Sequence, residues 1–210
     1  MARSPDRSPA LPPLYGLVLA GGHSVRMGQD KGLLVYHGIA QVLWLRELLC
    51  GLCAHVYVSV NARQRAVQPY AGLPVLVDVR AEGGPAIGLL SAWEAFPESA
   101  WLAVGVDLPF VDERLLAQLV EARRPGSLAA AFRQPDGVLE PVCTLWEPAA
   151  RAVLAERLAA ADGSLRRMLE AGPTVEVPLA DPQVLRSINT PQEYREARAR
   201  LSAPDRTESP

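Results

Sequence analysis

One glycine-rich stretch near the start of the chain concentrates residues suited to phosphate chemistry. Gly21-Gly22-His23-Ser24-Val25-Arg26-Met27-Gly28-Gln29-Asp30-Lys31 opens with glycines, whose backbone N–H groups can approach a ligand closely and form an anion-binding nest. Arg26 and Lys31 add two cations suited to phosphate oxygens. The stretch is neither a GK[ST]-closed P-loop nor a G-x-G-x-x-G dinucleotide fingerprint. On composition alone, an ordinary strand–helix connection with solvated charges explains it equally well. Val104-Gly105-Val106-Asp107-Leu108-Pro109 ends an apolar run in a single acid. Such an acid can hold Mg²⁺, which takes oxygen ligands and keeps several waters; the alternative is a turn acid before Pro109. Asp78 follows a third apolar run and is a second ligand, a base contact or a turn acid. Asn61 follows another and either hydrogen-bonds a base or ribose or closes an Asx turn. Gly84 lies in Glu82-Gly83-Gly84-Pro85-Ala86-Ile87-Gly88, ahead of a helix whose N-terminus can face a phosphate or purine. Ser24 has no evident base and is not read as a nucleophile, its open roles being to bind phosphate or to cap the loop; His23, His37 and His55 share no partner pattern and are read as incidental.

These residues are scattered in sequence, so their meaning depends on the elements that carry them. Short apolar runs at 15–20, 55–60, 74–77 and 101–106 read as strands, and helical spacing appears at 41–50, 87–95 and 113–122. Asp112 is placed to cap the third helix. Residues 128–132 and 141–145 are expected to pair around the turn at 134–137. Helices follow at 149–160 and 164–170, then a short strand at 174–177. The final helix has Thr190 as N-cap, Pro191 at its first position and Glu193 completing a capping box. This alternation predicts an α/β fold of three layers, a mostly parallel twisted sheet with helices on both faces. In such a sheet, ligands bind beyond the carboxyl ends of the strands. Gly21, Asn61, Asp78 and Asp107 each follow a predicted strand, so the topology would gather them along one edge.

The chain has 210 residues, 49% hydrophobic, with net charge −2. That suits one domain, expected over 14–201 between polar, Pro-rich tails at 1–13 and 202–210 that are expected to be disordered. The charge balance offers no footprint for nucleic acid or an anionic membrane. No apolar run would span a bilayer and the start lacks a signal-peptide stretch, so a cytoplasmic location is expected. Cys50, Cys53 and Cys143 are too few for a disulfide framework. Cys50-Gly51-Leu52-Cys53 has redox-motif spacing but ends a helix rather than opening one, so its cysteines are read as small packing residues.

The stretch from Leu19 to Lys31 resembles the signature of the molybdenum cofactor guanylyltransferases, which join GMP from GTP to molybdopterin carrying molybdenum. The resemblance continues at Val60-Asn61-Ala62, Val77-Asp78, Gly84-Pro85 with Gly88, Val106-Asp107-Leu108-Pro109 and Asn189-Thr190-Pro191-Gln192-Glu193. It implies a Rossmann-like nucleotidyltransferase fold and Mg²⁺ as cofactor. Leu19, Ala20, Gly21 and Gly22 would contact the nucleotide, Lys31 its phosphates, and Asn61 and Asp78 the GTP. Asp107 would hold Mg²⁺ and Arg26 would neutralise charge on the α-phosphate. Gly84 and Asn189 would lie toward the substrates, Asn189 nearer the pterin. The partners implied are GTP and molybdopterin, with a cofactor carrier or molybdoenzyme chaperone as the kind of protein partner. Val106 stands where the family often has Cys, and Ala86-Ile87 where it usually has Leu-Ala. A cytidylyltransferase for the same cofactor, another small-molecule guanylyltransferase, a non-catalytic nucleotide-binding module and, remotely, a redox protein using Cys50 and Cys53 are the competing readings.

Overall fold

The computed structural model of the chain describes residues 11–22, 27–80 and 84–202. The sequence predictions for Arg26, for most of both tails and for His23 and Ser24 fall outside these residues. Seven strands form one sheet in the order β3-β2-β1-β4-β6-β5-β7. They are β1 (Leu14–Leu19), β2 (His55–Val60), β3 (Val75–Val77), β4 (Ala100–Gly105), β5 (Ala129–Arg133), β6 (Leu139–Trp146) and β7 (Thr174–Pro178). The helices are α1 (Gln41–Cys50), α2 (Pro85–Ala95), α3 (Glu113–Glu121), α4 (Ala150–Ala159), α5 (Leu165–Ala171) and α6 (Pro191–Ser202). Helix α6 takes in Ser202, one residue beyond the domain boundary expected from the sequence.

Strands β3, β2, β1 and β4 are mutually parallel, β6 runs antiparallel to both β4 and β5, and β7 is parallel to β5. The one reversed strand follows from the β5–β6 hairpin. Its turn carries Pro135-Asp136-Gly137 with Gly137 at φ 87°, a conformation that favours glycine. Both faces of the central strands are buried, which is why those strands read as continuous apolar runs rather than alternating ones. Alternation still sorts their side chains. Val18, Leu102 and Val104 pack with Leu45 and Leu49 of α1 and Leu116 and Leu119 of α3. Leu17, Trp101 and Ala103 pack with Leu89 and Trp93 of α2, Leu154 of α4 and Leu169 of α5 on the other face. Three layers result.

A smaller cluster sits apart from both faces. Met27, Leu34, Tyr36, Ile188 and Ala197 pack together with Phe110 and Tyr194, and the Tyr36 and Tyr194 rings meet edge to face. This cluster docks α6 onto the segment that follows the first glycine-rich stretch. The helix starts as its sequence requires. Glu193 Oε2 accepts from the Thr190 N–H, and the Thr190 hydroxyl accepts from the Glu193 N–H. Asp112 likewise caps α3, accepting from the Leu115 N–H.

Candidate active site

Because β3, β2, β1 and β4 are adjacent and parallel, their carboxyl ends fall side by side. Asp78, Asn61, Gly21 and Asp107 follow those ends in that order. A cleft opens there, walled by Leu19 to Gly22, Lys31, Ser59, Asp78, Gly84, Pro85, Gly105 to Asp107 and Val142.

At one end, Asp78 is half-buried against the first glycine loop. A Cβ on Gly21 would collide with Asp78 Oδ2 and come within 3.1 Å of its Cγ, so the glycine is required by this approach. Ser59 Oγ donates to Asp78 Oδ1 at 2.6 Å. Burial raises the Asp78 carboxyl above its usual 3.8, and the Ser59 hydrogen bond opposes that rise. Gly84 adopts φ 57°, ψ −143°, a conformation closed to other residues, and brings the N-terminus of α2 to the cleft. The cleft therefore offers hydrogen-bonding groups and a helix N-terminus at the same end.

The other end carries the opposed charges. Lys31 Nζ lies 3.9 Å from Asp107 Oδ2, with the two side chains 15% and 25% exposed. Lys31 also donates to Asn189 Oδ1 at 2.7 Å. Lys31 begins a single 3₁₀ turn capped by Asp30, which accepts from the Gly32 N–H. Tyr70 donates to the same Asp30 oxygen at 2.9 Å, and Gln64 donates to the other at 2.7 Å. Gln64 also donates to the Ala20 carbonyl and accepts from the Asn61 N–H. One glutamine thus ties the first loop, the loop after β2 and the Lys31 turn together.

Asp107 is fixed from behind. The carbonyls of Asp107, Leu108 and Pro109 accept in turn from the Ile188 N–H at 2.8 Å, Gln41 Nε2 at 3.3 Å and His37 Nε2 at 2.9 Å. A carbonyl only accepts, so His37 carries its proton on Nε2, and its ring stacks on Trp44 at 4.1 Å. Further along β6, Glu140 is buried with Oε1 accepting from the Val142 N–H. Burial pushes its carboxyl up, and the Asp107 charge adds to that.

Leu19, Ala20, Gly21, Gly22, Lys31, Asp78, Gly84 and Asp107 of the sequence-derived set line one cleft. Two of that set do not. Asn61 turns its side-chain oxygen to the N–H groups of Arg63 and Gln64, and its amide nitrogen reaches the Gly21 carbonyl at 3.4 Å. It closes the loop as an Asx turn and lines a neighbouring depression with Gly28 and Asp30. Asn189 contacts Lys31 directly. Arg26 lies outside the described residues. One sequence expectation needs correcting: Cys50 is exposed rather than packed, although Cys53 is buried with its thiol pushed up to about 12. Ser59 was missed; strand periodicity placed it two residues before Asn61, but nothing marked its partner. Tyr70 and Gln41 act through tertiary contacts, as does Gln64 apart from its local bonds to Asn61, and none left a sequence signal for its place at the site.

Among the described residues, no group of three or more His, Cys, Asp or Glu side chains could hold a metal alone. Asp107 faces the cleft as a single carboxylate. That suits Mg²⁺ bound through one carboxylate and the oxygens of a phosphate substrate, a common arrangement for this ion. Among the same residues, no helix is long and apolar enough to cross a membrane.

Residues 16–177 match the family model of the MobA-like NTP transferase domain. The chain is 35% identical over 139 residues to the molybdenum cofactor biosynthesis bifunctional protein of Synechocystis sp., covering 66% of this chain and 40% of that longer protein. It is 31% identical over 192 residues to the molybdenum cofactor guanylyltransferase of Pseudomonas putida, covering 89% of this chain and 98% of the relative. The crystal structure of molybdopterin-guanine dinucleotide biosynthesis protein A from Archaeoglobus fulgidus superposes with a TM-score of 0.75 at 20% identity, over 90% of this chain and 98% of that one. That likeness extends the match to the fold.

Proposed function

The chain belongs to the MobA-like NTP transferase family, and from that premise we propose that it transfers GMP from GTP to the terminal phosphate of molybdenum-bearing molybdopterin. The products are the guanine dinucleotide cofactor and pyrophosphate. The observation that carries this reading is the convergence of Gly21, Lys31, Asp78 and Asp107 on one cleft, across four adjacent parallel strands. The kinship to guanylyltransferases over nearly the whole chain supports GTP as the donor.

In the reaction, an oxygen of the acceptor's terminal phosphate forms a bond to the α-phosphorus of GTP. The bond from that phosphorus to the bridging oxygen breaks, and pyrophosphate leaves with the electron pair. The attacking phosphate is ionised at neutral pH, so no general base is needed. The protein's task is alignment and charge stabilisation. Backbone groups of Leu19 to Gly22 and the Asp78 end of the cleft would hold the nucleotide, with Lys31 on its phosphates. Mg²⁺ held by Asp107 and the phosphate oxygens would neutralise charge on the triphosphate. Arg26, read from sequence, would supply further positive charge.

Purified protein given GTP, Mg²⁺ and molybdenum-loaded molybdopterin should release pyrophosphate. The Asp107→Ala variant should lose on the order of a thousandfold in that rate while keeping the wild-type melting profile. Turnover of CTP but not GTP would overturn the guanylyl assignment, and full activity in the Asp107→Ala variant would overturn the site.

A further inference from the structure

Building on that reading, we propose that Asn189 is a positioning residue for Lys31: it holds the ammonium off Asp107, leaving the carboxylate for the metal and the ammonium for the triphosphate. Sequence resemblance places Asn189 nearer the pterin, whereas the structure places it against the charge-bearing end of the cleft.

Lys31 and Asp107 are opposite charges in a half-buried site, where attraction is much stronger than in water. At 3.9 Å they are already within ion-pair reach. A direct bridge would spend both groups on each other. The Asn189 side chain accepts from the ammonium at 2.7 Å, closer than the carboxylate at 3.9 Å. Lysine has donors only, so the amide presents its oxygen. An amide oxygen accepts a charge-assisted hydrogen bond without neutralising the cation, which keeps its charge for a phosphate. A carboxylate in the same place would cancel that charge.

The rest of the segment is built to hold this geometry. The Asn189 N–H donates to Glu193 Oε2 at 2.7 Å, so the capping box of α6 fixes the residue's own backbone. One residue earlier, the Ile188 N–H donates to the Asp107 carbonyl at 2.8 Å. The Ile188 side chain is buried with Met27, Leu34 and Tyr36, the cluster flanking the Lys31 turn. Two consecutive residues therefore set the relative placement of Lys31 and Asp107, one by backbone and one by side chain. Helix α6 serves the site through them.

The test compares wild type, Asn189→Ala and Asn189→Asp by calorimetric titration with GTP, with and without Mg²⁺, and by steady-state kinetics. Loss of a hydrogen bond to a charged group predicts roughly tenfold weaker GTP binding in Asn189→Ala and a higher Mg²⁺ concentration for half-maximal turnover. The KM for molybdopterin should not change. The nearly isosteric Asn189→Asp should keep the wild-type melting temperature and bind GTP more weakly still, since it neutralises Lys31. It decides the matter if Asn189→Ala does not fold. In a Lys31→Ala background, Asn189→Ala should add nothing to the loss of GTP affinity, which a general structural role would not produce. Unchanged GTP affinity with a raised molybdopterin KM would overturn the proposal and return Asn189 to the acceptor. Failure of the wild-type protein to use GTP would overturn the functional reading, a separate outcome read from the wild type alone.

Discussion

Replacing Gly21 with alanine tests the closest approach in the cleft. Its φ lies outside the left-handed region, so the backbone accepts alanine without strain. The obstacle is Asp78. The new Cβ would overlap Oδ2 and lie 3.1 Å from Cγ, while its next neighbour, the Asn61 nitrogen, is at an ordinary 3.5 Å. The carboxylate must retreat by about an ångström to reach van der Waals separation. Its other oxygen is held by Ser59 at 2.6 Å, and a shift of that size takes the pair beyond the range of an O–H···O hydrogen bond. A hydrogen bond to a charged group contributes about 2 kcal/mol. Alanine returns about 0.5–1 kcal/mol by restricting the unfolded chain.

A net loss of about 1 kcal/mol is therefore expected, or roughly 2–4 °C in melting temperature for a chain of this size. Urea unfolding followed by tryptophan fluorescence reads it, since Trp93, Trp101 and Trp146 are fully buried. The decisive comparison is with Asp78→Ala, which removes Oδ2 and Cγ. In that background the Gly21→Ala change should turn from destabilising to neutral or mildly stabilising. An equal loss in both backgrounds would place the strain in the backbone and refute the reasoning.

Glu140→Gln should stabilise the protein at neutral pH and leave it unchanged near pH 4. Burial holds the folded carboxyl above 4.5, so the wild-type group's contribution is full below 4.5 and is lost as pH rises through the folded value, a slope that urea unfolding against pH would show flattened in the variant. His37→Phe keeps a ring to stack on Trp44 but donates nothing to Pro109; we expect about 1 kcal/mol lower stability and a less than tenfold fall in kcat, and unaltered turnover and stability together would show that the Pro109 contact does not matter. Thiol titration of the native protein at pH 8 should find one fast group, Cys50, because Cys53 is buried with its thiol near 12 and Cys143 is fully buried; alkylation of Cys50 should leave turnover intact, and loss of activity would revive a thiol-based reading.

The parts of the site legible in sequence are those where a local pattern coincides with an element boundary. Asp78 and Asp107 stand just past apolar runs, and a parallel sheet turns that position into a place at the carboxyl edge. Gly84 precedes a helix in a segment where only glycine fits. The capping box at Thr190 and Glu193 is written within four residues. What sequence could not supply was adjacency. Strand order is set by which faces pack against which helices, so neither the insertion of β6 between β4 and β5 nor the places of Asp78 and Asp107 at opposite ends of one cleft had a local signal. Asn189 and Lys31 lie 158 positions apart, and nothing near either names the other. Asn61 shows the opposite failure. Its position fits a ligand contact and an Asx turn equally, and only its hydrogen bonds to Arg63 and Gln64 show that the turn forms.

The charged groups at the phosphate end are ordered by tertiary contacts rather than by the elements that carry them. Lys31 sits in a single 3₁₀ turn, too short to be stable by itself, and is placed by Asp30, Gln64 and Tyr70. Asp107 follows a strand end, and three consecutive carbonyls there are satisfied from α1, from the segment before it and from the segment before α6. Ordering a loop residue costs conformational entropy whenever it occurs. Here that ordering accompanies folding, so on the proposed function a nucleotide would meet groups already aimed, the condition under which fixed charges lower a barrier most. It follows that side chains touching no substrate, Gln41, His37 and Gln64 among them, should influence turnover in proportion to how far their loss frees Lys31 or Asp107. On the proposed function, the residues that set rate would therefore extend back into the packing that joins α1 and α6 to the sheet edge.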